Sequence, residues 1–283
     1  MTITTHPTPS TSDAHASPTV RVLQRSRRDD TASIPTALHS DWIKVSSLRS
    51  NMLILALTPV IGVALSWIMA TFVEVDPDTD LPFTVAETFI FSTWLTTVLA
   101  AIIGTLMFTS EAQHGTLAAA VAAQPARWVT VASKTIVAAS FGLAMGILGM
   151  IGGLSGAILG GLPEGDTSAM ASTALWGLLL TTLAPVFGLG VGMILRHSAA
   201  AVSILLVWAF VLENIARALI PVSTARYLPF SAANNMLGIA SATDTPESLA
   251  AALTPLQNAV IFGGYAFALL AIGTTLFSRR DTD

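Results

Sequence analysis

The chain has 283 residues, 53% of them hydrophobic and 11% charged, against roughly 25% charged in an average soluble domain. That composition excludes a water-soluble globule. A formal net charge of -4 gives no reason to expect nucleic acid as a partner, and 0 cysteines exclude disulfides, thiolate metal sites and cysteine nucleophiles.

Residues 1–33 are rich in Thr, Ser, Pro and charge, with too little apolar surface to offset the entropy of ordering, and are expected to form a disordered cytoplasmic tail. Within it, Ser26-Arg27-Arg28 is followed by Asp29 and Asp30, not by the apolar run that a twin-arginine signal needs. From about 36 to 50, Leu38, Trp42, Val45 and Leu48 recur at helical spacing, while Asp41, Lys44 and Arg49 fall off that stripe. This predicts an amphipathic helix lying on the inner membrane surface.

A helix needs about 20 mostly apolar residues to cross a hydrocarbon core roughly 30 Å thick. Six runs qualify: Met52 to Val73, Phe89 to Phe108, Val131 to Leu159, Ala171 to Leu195, Ala199 to Ile220 and Val260 to Phe277. The fold class is therefore an all-α integral membrane protein of six transmembrane helices, with residues 34–280 forming one six-span domain. Basic residues set the orientation, because cytoplasmic loops keep Lys and Arg during insertion. Eleven of the 13 fall on one side, the exceptions being Arg217 and Arg226, and the first loop of the opposite side holds Glu74, Asp76, Asp78, Asp80 and Glu87. Both termini are expected in the cytoplasm. Trp67, Trp94 and Trp176 lie toward the outer span ends and Trp42 and Trp128 toward the inner surface, where indoles settle, while Trp208 is mid-span.

Pro59 and Pro185 lie inside the first and fourth spans and are expected to kink them. In the third span, Gly142, Gly146, Gly149, Gly152, Gly153, Gly156 and Gly160 include pairs four apart, the small-residue spacing that brings helix backbones together in lipid. Gly153-Leu154-Ser155-Gly156 also matches the Gly-Xaa-Ser-Gly of rhomboid-type proteases, but no histidine follows in a later span to activate Ser155. Close packing is the better account of these glycines. The five histidines lie outside the spans without metal-ligand spacing. The lysines, Lys44 and Lys134, lie outside any phosphate-binding loop pattern.

Near the outer end of the fifth span, Glu213 and Arg217 stand at i, i+4 and can neutralise one another on one helix face, the alternative being a substrate or gating role. The segment from Pro221 to Pro255 is too polar to span and too apolar for free coil. It predicts short re-entrant or surface helices capping the outer mouth, within an external loop of about 221–256.

The most informative stretch is the connection from Thr109 to Val137. Glu111, Gly115-Thr116, an Ala-rich helix, Pro125, Arg127 and a Lys134 opening the next span resemble the permeases of type-two ATP-binding cassette (ABC) exporters. The surface stretch Ser40 to Val45 with Leu48-Arg49-Ser50, the six spans, and Tyr227-Leu228-Pro229-Phe230, similar to segments of actinobacterial members, agree with it. The chain departs from common family sequences at Ala112 and Gln113, where more polar or basic residues are usual. Read physically, Gly115 ends a short helix begun near Ser110, Glu111 faces that helix's positive end, and Thr116 to Ala123 form a second helix that Pro125 stops. The plainer alternative is a positive-inside turn anchored by Arg127 and Lys134.

The resemblance implies a bacterial inner-membrane permease that is not itself an enzyme. It implies a second permease subunit, either the same chain in a homodimer or a related one in a heterodimer, a separate ATPase that binds ATP and magnesium, and a coupling loop of about 109–130 in which Glu111, His114, Gly115, Thr116, Arg127 and Lys134 meet that partner. It further implies a path lined from the second and fifth spans by Phe91, Trp94, Thr97, Leu205, Trp208 and Leu212. The uncharged, aromatic character of those residues suits a hydrophobic or amphipathic substrate such as a drug, antibiotic, peptide or lipid. Two other functions stay open at this level: a non-transporting signalling or immunity partner of an ATPase, and an intramembrane enzyme using Ser155.

Overall fold

The structure is a computed structural model that describes residues 34–47, 49–72, 84–117, 126–163, 167–238 and 252–280. The expected tail of 1–33, the expected Ala-rich helix from 118 on with Pro125, and the centre of the external loop lie outside the described residues. What is described is helical, with no strand among those residues.

Surface helix α1 is Ile34–Ser47, followed by α2 (Arg49–Phe72), α3 (Val85–Gln113), α4 (Arg127–Leu159) and α5 (Thr167–Leu195). The fifth span is α6 (Ser198–Val207), a π-helical turn over Trp208–Leu212, and α7 (Glu213–Leu219). Two short helices follow, α8 (Val222–Ala225) and α9 (Pro229–Leu237), and α10 (Pro255–Arg280) closes the chain. Six of these segments are long and apolar enough to cross a membrane, at the positions that the hydropathy of the sequence predicts.

The second, third and fourth spans are more than half buried inside the chain, and the first, fifth and sixth less than a third. The centre is thus α3, α4 and α5, with α2 against α4 and α10 against α5. Lipid supplies no hydrophobic drive to join helices, so association rests on close backbone approach and interhelical hydrogen bonds. The glycines of α4 provide the approach. A Cβ on Gly152 would run into the Pro59 backbone and one on Gly156 into that of Val63, while Gly142 meets the Pro185 ring and Gly149 the Thr96 side chain. Hydroxyls add the bonds: Ser92 donates to the Gly149 carbonyl at 3.1 Å and Thr105 to the Gly188 carbonyl at 3.0 Å.

Buried aromatic rings fill the remaining space, with Phe187 stacked on Phe262 and edge-on to Phe230 of α9. Helix α9 is therefore part of the core: Phe230, Ala232, Ala233, Met236 and Leu237 are all buried. Gly238 at φ 74 ends it in the left-handed conformation, its amide donating back to the Asn235 carbonyl. The described part of the Pro221–Pro255 segment thus holds two short helices, as its mixed composition predicts, one of them packed into the core.

Candidate functional site

At one end of the bundle three elements meet through charge. The spacing of α1 predicts a Leu38–Trp42–Val45 face turned to the membrane; Trp42 is exposed, but Val45 packs into the chain together with Asp41, which lies off that stripe. Asp41 turns inward because groups on α4 receive its charge. The Ser133 hydroxyl donates to Oδ2, and the Lys134 ammonium lies 3.4 Å from Oδ1. Lys134 also donates to Glu111 Oε1 at 2.7 Å. Lys44 completes the cluster, 3.5 Å from Asp41 and 3.7 Å from Glu111. Two carboxylates and two ammoniums give a neutral whole, the arrangement under which charge tolerates burial. Asn51 closes the joint by donating to the Val45 carbonyl at 3.3 Å.

This geometry corrects the expected helix pattern of the loop. Helix α3 runs on to Gln113, so Glu111 stands in its last turn, at the negative end of the helix dipole instead of the positive one. Lys134 and Lys44 offset that unfavourable position. His114 and Gly115 terminate the helix: the His114 amide and Nδ1 both meet the Ser110 carbonyl, and Gly115 adopts φ 70. The Thr116 hydroxyl donates to the Glu111 carbonyl at 3.3 Å. Arg127 does something else. Its Nη1 donates to the Phe277 and Ser278 carbonyls, both at 3.0 Å, and its guanidinium stacks on the Phe277 ring, capping the C-terminal end of α10. Of the six residues expected in the coupling loop, only Glu111 and Lys134 share the charge cluster; His114, Gly115 and Thr116 shape the helix end, and Arg127 ties the loop to the last span.

Sequence reasoning missed Asp41 and Ser133. Asp41 falls off the apolar stripe of its helix like any polar-face residue, and its partner Ser133 is 92 residues away. Ser198 was missed too, and its hydroxyl bridges Thr109 and Gln113 at 2.9 and 2.6 Å.

The opposite end holds the fifth-span acid. Glu213 is 3% exposed, and its carboxylate accepts from the Phe230 amide at 3.0 Å and from the Ser231 amide. It thereby satisfies the amides that open α9, whose first turn begins with Pro229. The expected Glu213–Arg217 pair is absent: among the described residues no ion pair involves either side chain. Backbone amides at a helix N-terminus, held in place by the fold, outcompete a guanidinium on a mobile stem. The π turn helps to aim the carboxylate. The Glu213 amide bonds to the Trp208 carbonyl, five residues back, and one extra residue turns everything after it by about 100°.

Beside Glu213 lies a cavity of about 320 Å³ between α3, the fifth span and α9. Phe91, Trp94, Phe210, Asn214, Arg217 and Asn234 are among its lining residues, and Trp94 packs edge-on to Phe210 at 5.1 Å. Of the residues expected to line a path, Phe91 and Trp94 face this cavity, Trp208 and Leu212 are exposed on the outside of the chain, and Thr97 and Leu205 are buried in its own core. Thr97 spends its hydroxyl on the Thr93 carbonyl at 2.9 Å. Ser155 likewise donates to the Ile151 carbonyl at 2.7 Å, as an ordinary helix serine does.

With fold and sites described, the class of the protein follows: an α-helical protein with six membrane-spanning helices and a surface helix locked to them by buried charge. No protein-family model matches the chain, and no curated protein matches it either.

Proposed function

We propose that this chain is the transmembrane permease subunit of a type-two ABC exporter in a bacterial cell membrane, working as a pair of permease copies with a separate ATPase that binds ATP and magnesium. The observation that carries this reading is the buried charge cluster at the base of the 109–130 loop. Lys134, Glu111 and Asp41 join the start of α4, the end of α3 and the surface helix α1. Separating buried partners costs several kcal/mol, so a force applied to this loop moves the three elements as one body. Arg127 extends the link to the end of α10. Lys44, Arg127, Lys134, Arg196 and Arg279 gather at this end, which the positive-inside rule makes cytoplasmic and so accessible to a soluble ATPase. The first and fifth spans expose apolar faces suited to lipid and to a second copy, and the ring-lined cavity at the other end suits a hydrophobic or amphipathic substrate.

Purification of the native complex in mild detergent is expected to recover a Walker-type ATPase in stoichiometric amount, depleted by the double substitution Glu111→Ala, Gly115→Leu. A leucine at Gly115 opposes the φ of 70 that ends α3. Purified complex in liposomes should then hydrolyse ATP and move an amphipathic dye in an ATP-dependent way. Repeated recovery of intact wild-type chain with no ATPase would overturn the assignment.

A further inference from the structure

The cavity beside Glu213 is about 30 Å from the charge cluster, judged by the 20 residues of α3 between Phe91 and Glu111 at about 1.5 Å each. Its lining mixes the rings of Phe91, Trp94 and Phe210 with the side chains of Glu213, Asn214, Arg217 and Asn234. Because both Glu213 oxygens are committed to the amides of α9, Arg217 is left with no hydrogen bond or ion pair among the described residues, though half-buried in a membrane-spanning helix. A half-buried cation in the last turn of a spanning helix, with no direct partner in the protein, is a place where a counter-ion from elsewhere can bind. A guanidinium recognises a carboxylate or phosphate through a planar fork of donors, and neighbouring amides add further donors. At about 320 Å³ the cavity is at the lower end of the range for small-molecule sites. It is too small for a two-chain lipid but holds an acidic head and the adjoining part of one chain.

We propose that this cavity is a binding site for an anionic single-chain amphiphile, with Arg217 and the neighbouring amides holding the acidic head and Phe91, Trp94 and Phe210 flanking the apolar part. As a substrate site it rests on the permease reading; as a binding site it stands without it. A lone acidic amphiphile and the headgroup region of an anionic lipid share this chemistry.

The test measures binding alone. Full-length protein in phosphatidylcholine nanodiscs is photolabelled with a diazirine-bearing hexadecanoate, and in parallel with the matching hexadecanol, and labelled peptides are identified by mass spectrometry. Labelling by the acid at residues 91–94 and 209–217 is expected to saturate, and to fall at least about tenfold in Arg217→Gln, the loss of one charge-assisted contact. Arg217→Lys should restore most of it. The alcohol should label these segments no more than the lipid-facing stretch around Leu175, which is exposed on α5. Equal labelling by acid and alcohol, or undiminished labelling in a monodisperse Arg217→Gln protein, overturns the proposal. Should Arg217→Gln fail to fold, the comparison of acid with alcohol on wild type decides alone. Phosphatidylglycerol in the nanodiscs distinguishes the sources: displacement of the acid assigns the site to a lipid headgroup, and no displacement assigns it to a free amphiphile. Binding without ATP-dependent flux would refute the exporter and leave the site; flux without acid-selective labelling would do the reverse.

Discussion

Replacing Lys134 with Ala removes the ammonium on which two buried carboxylates depend. At an effective dielectric of about 20, Lys134 gains about 6 kcal/mol from Glu111 at 2.7 Å and about 5 kcal/mol from Asp41 at 3.4 Å. Its own desolvation opposes several kcal/mol of this, and breaking such a buried pair typically destabilises by about 3–5 kcal/mol. Lys44 makes contacts of 3.5 and 3.7 Å with the same two acids, but its side chain is 46% exposed against 4% for Lys134. Solvent screens it, so Lys44→Ala should cost no more than about 1 kcal/mol. At about 2–4 °C per kcal/mol for a chain of a few hundred residues, Lys134→Ala should lower the melting temperature by about 6–20 °C and Lys44→Ala by under about 4 °C. The assay is thermal unfolding followed by intrinsic fluorescence in one detergent, with aggregation monitored in parallel. The triple substitution Asp41→Asn, Glu111→Gln, Lys134→Met should recover most of the loss, because neutral groups of similar shape leave no charge stranded. Equal melting temperatures for wild type and Lys134→Ala, or equal losses at Lys44 and Lys134, would refute the reasoning.

Glu213→Ala should cost about 2–3 kcal/mol, the worth of hydrogen bonds to a buried charge, and should raise hydrogen exchange across residues 229–237 because α9 loses its anchor. If exchange there is unchanged, Glu213 does not hold α9. Gly156→Leu would drive a side chain into the Val63 backbone, and should destabilise by at least about 1–3 kcal/mol. Gly264→Ala meets nothing within 4 Å and should be neutral or stabilising by up to about 1 kcal/mol. Melting temperatures of the two variants in the same detergent check both. Arg127→Ala should accelerate hydrogen exchange at the end of α10, residues 277–280, while leaving the middle of that helix protected; uniform protection throughout would show that the cap contributes nothing.

The positions of the six spans were legible because hydropathy is local: about 20 apolar residues form a span whatever surrounds them. The glycines of α4 were legible as a packing stripe for the same reason, since the spacing of Gly152 and Gly156 is a property of one helix. What that stripe packs against was not, because Pro59 and Val63 lie on another helix. The loop pattern singles out Glu111 and Lys134, but that they pair with one another could not be read from it. Glu111 needs Lys134 from α4, Lys134 needs Asp41 from α1, and 93 residues separate that last pair. The fifth span shows the limit most plainly. An i, i+4 spacing correctly places Glu213 and Arg217 on one helix, yet it says nothing of the amides of α9 that compete for the carboxylate. Local sequence determined which segments enter the membrane, because transfer free energy is summed residue by residue. Only the tertiary structure decided which partners Asp41, Glu111 and Glu213 take and that Arg217 faces a cavity, because a charge takes whichever partner the packing of distant segments brings within hydrogen-bonding reach.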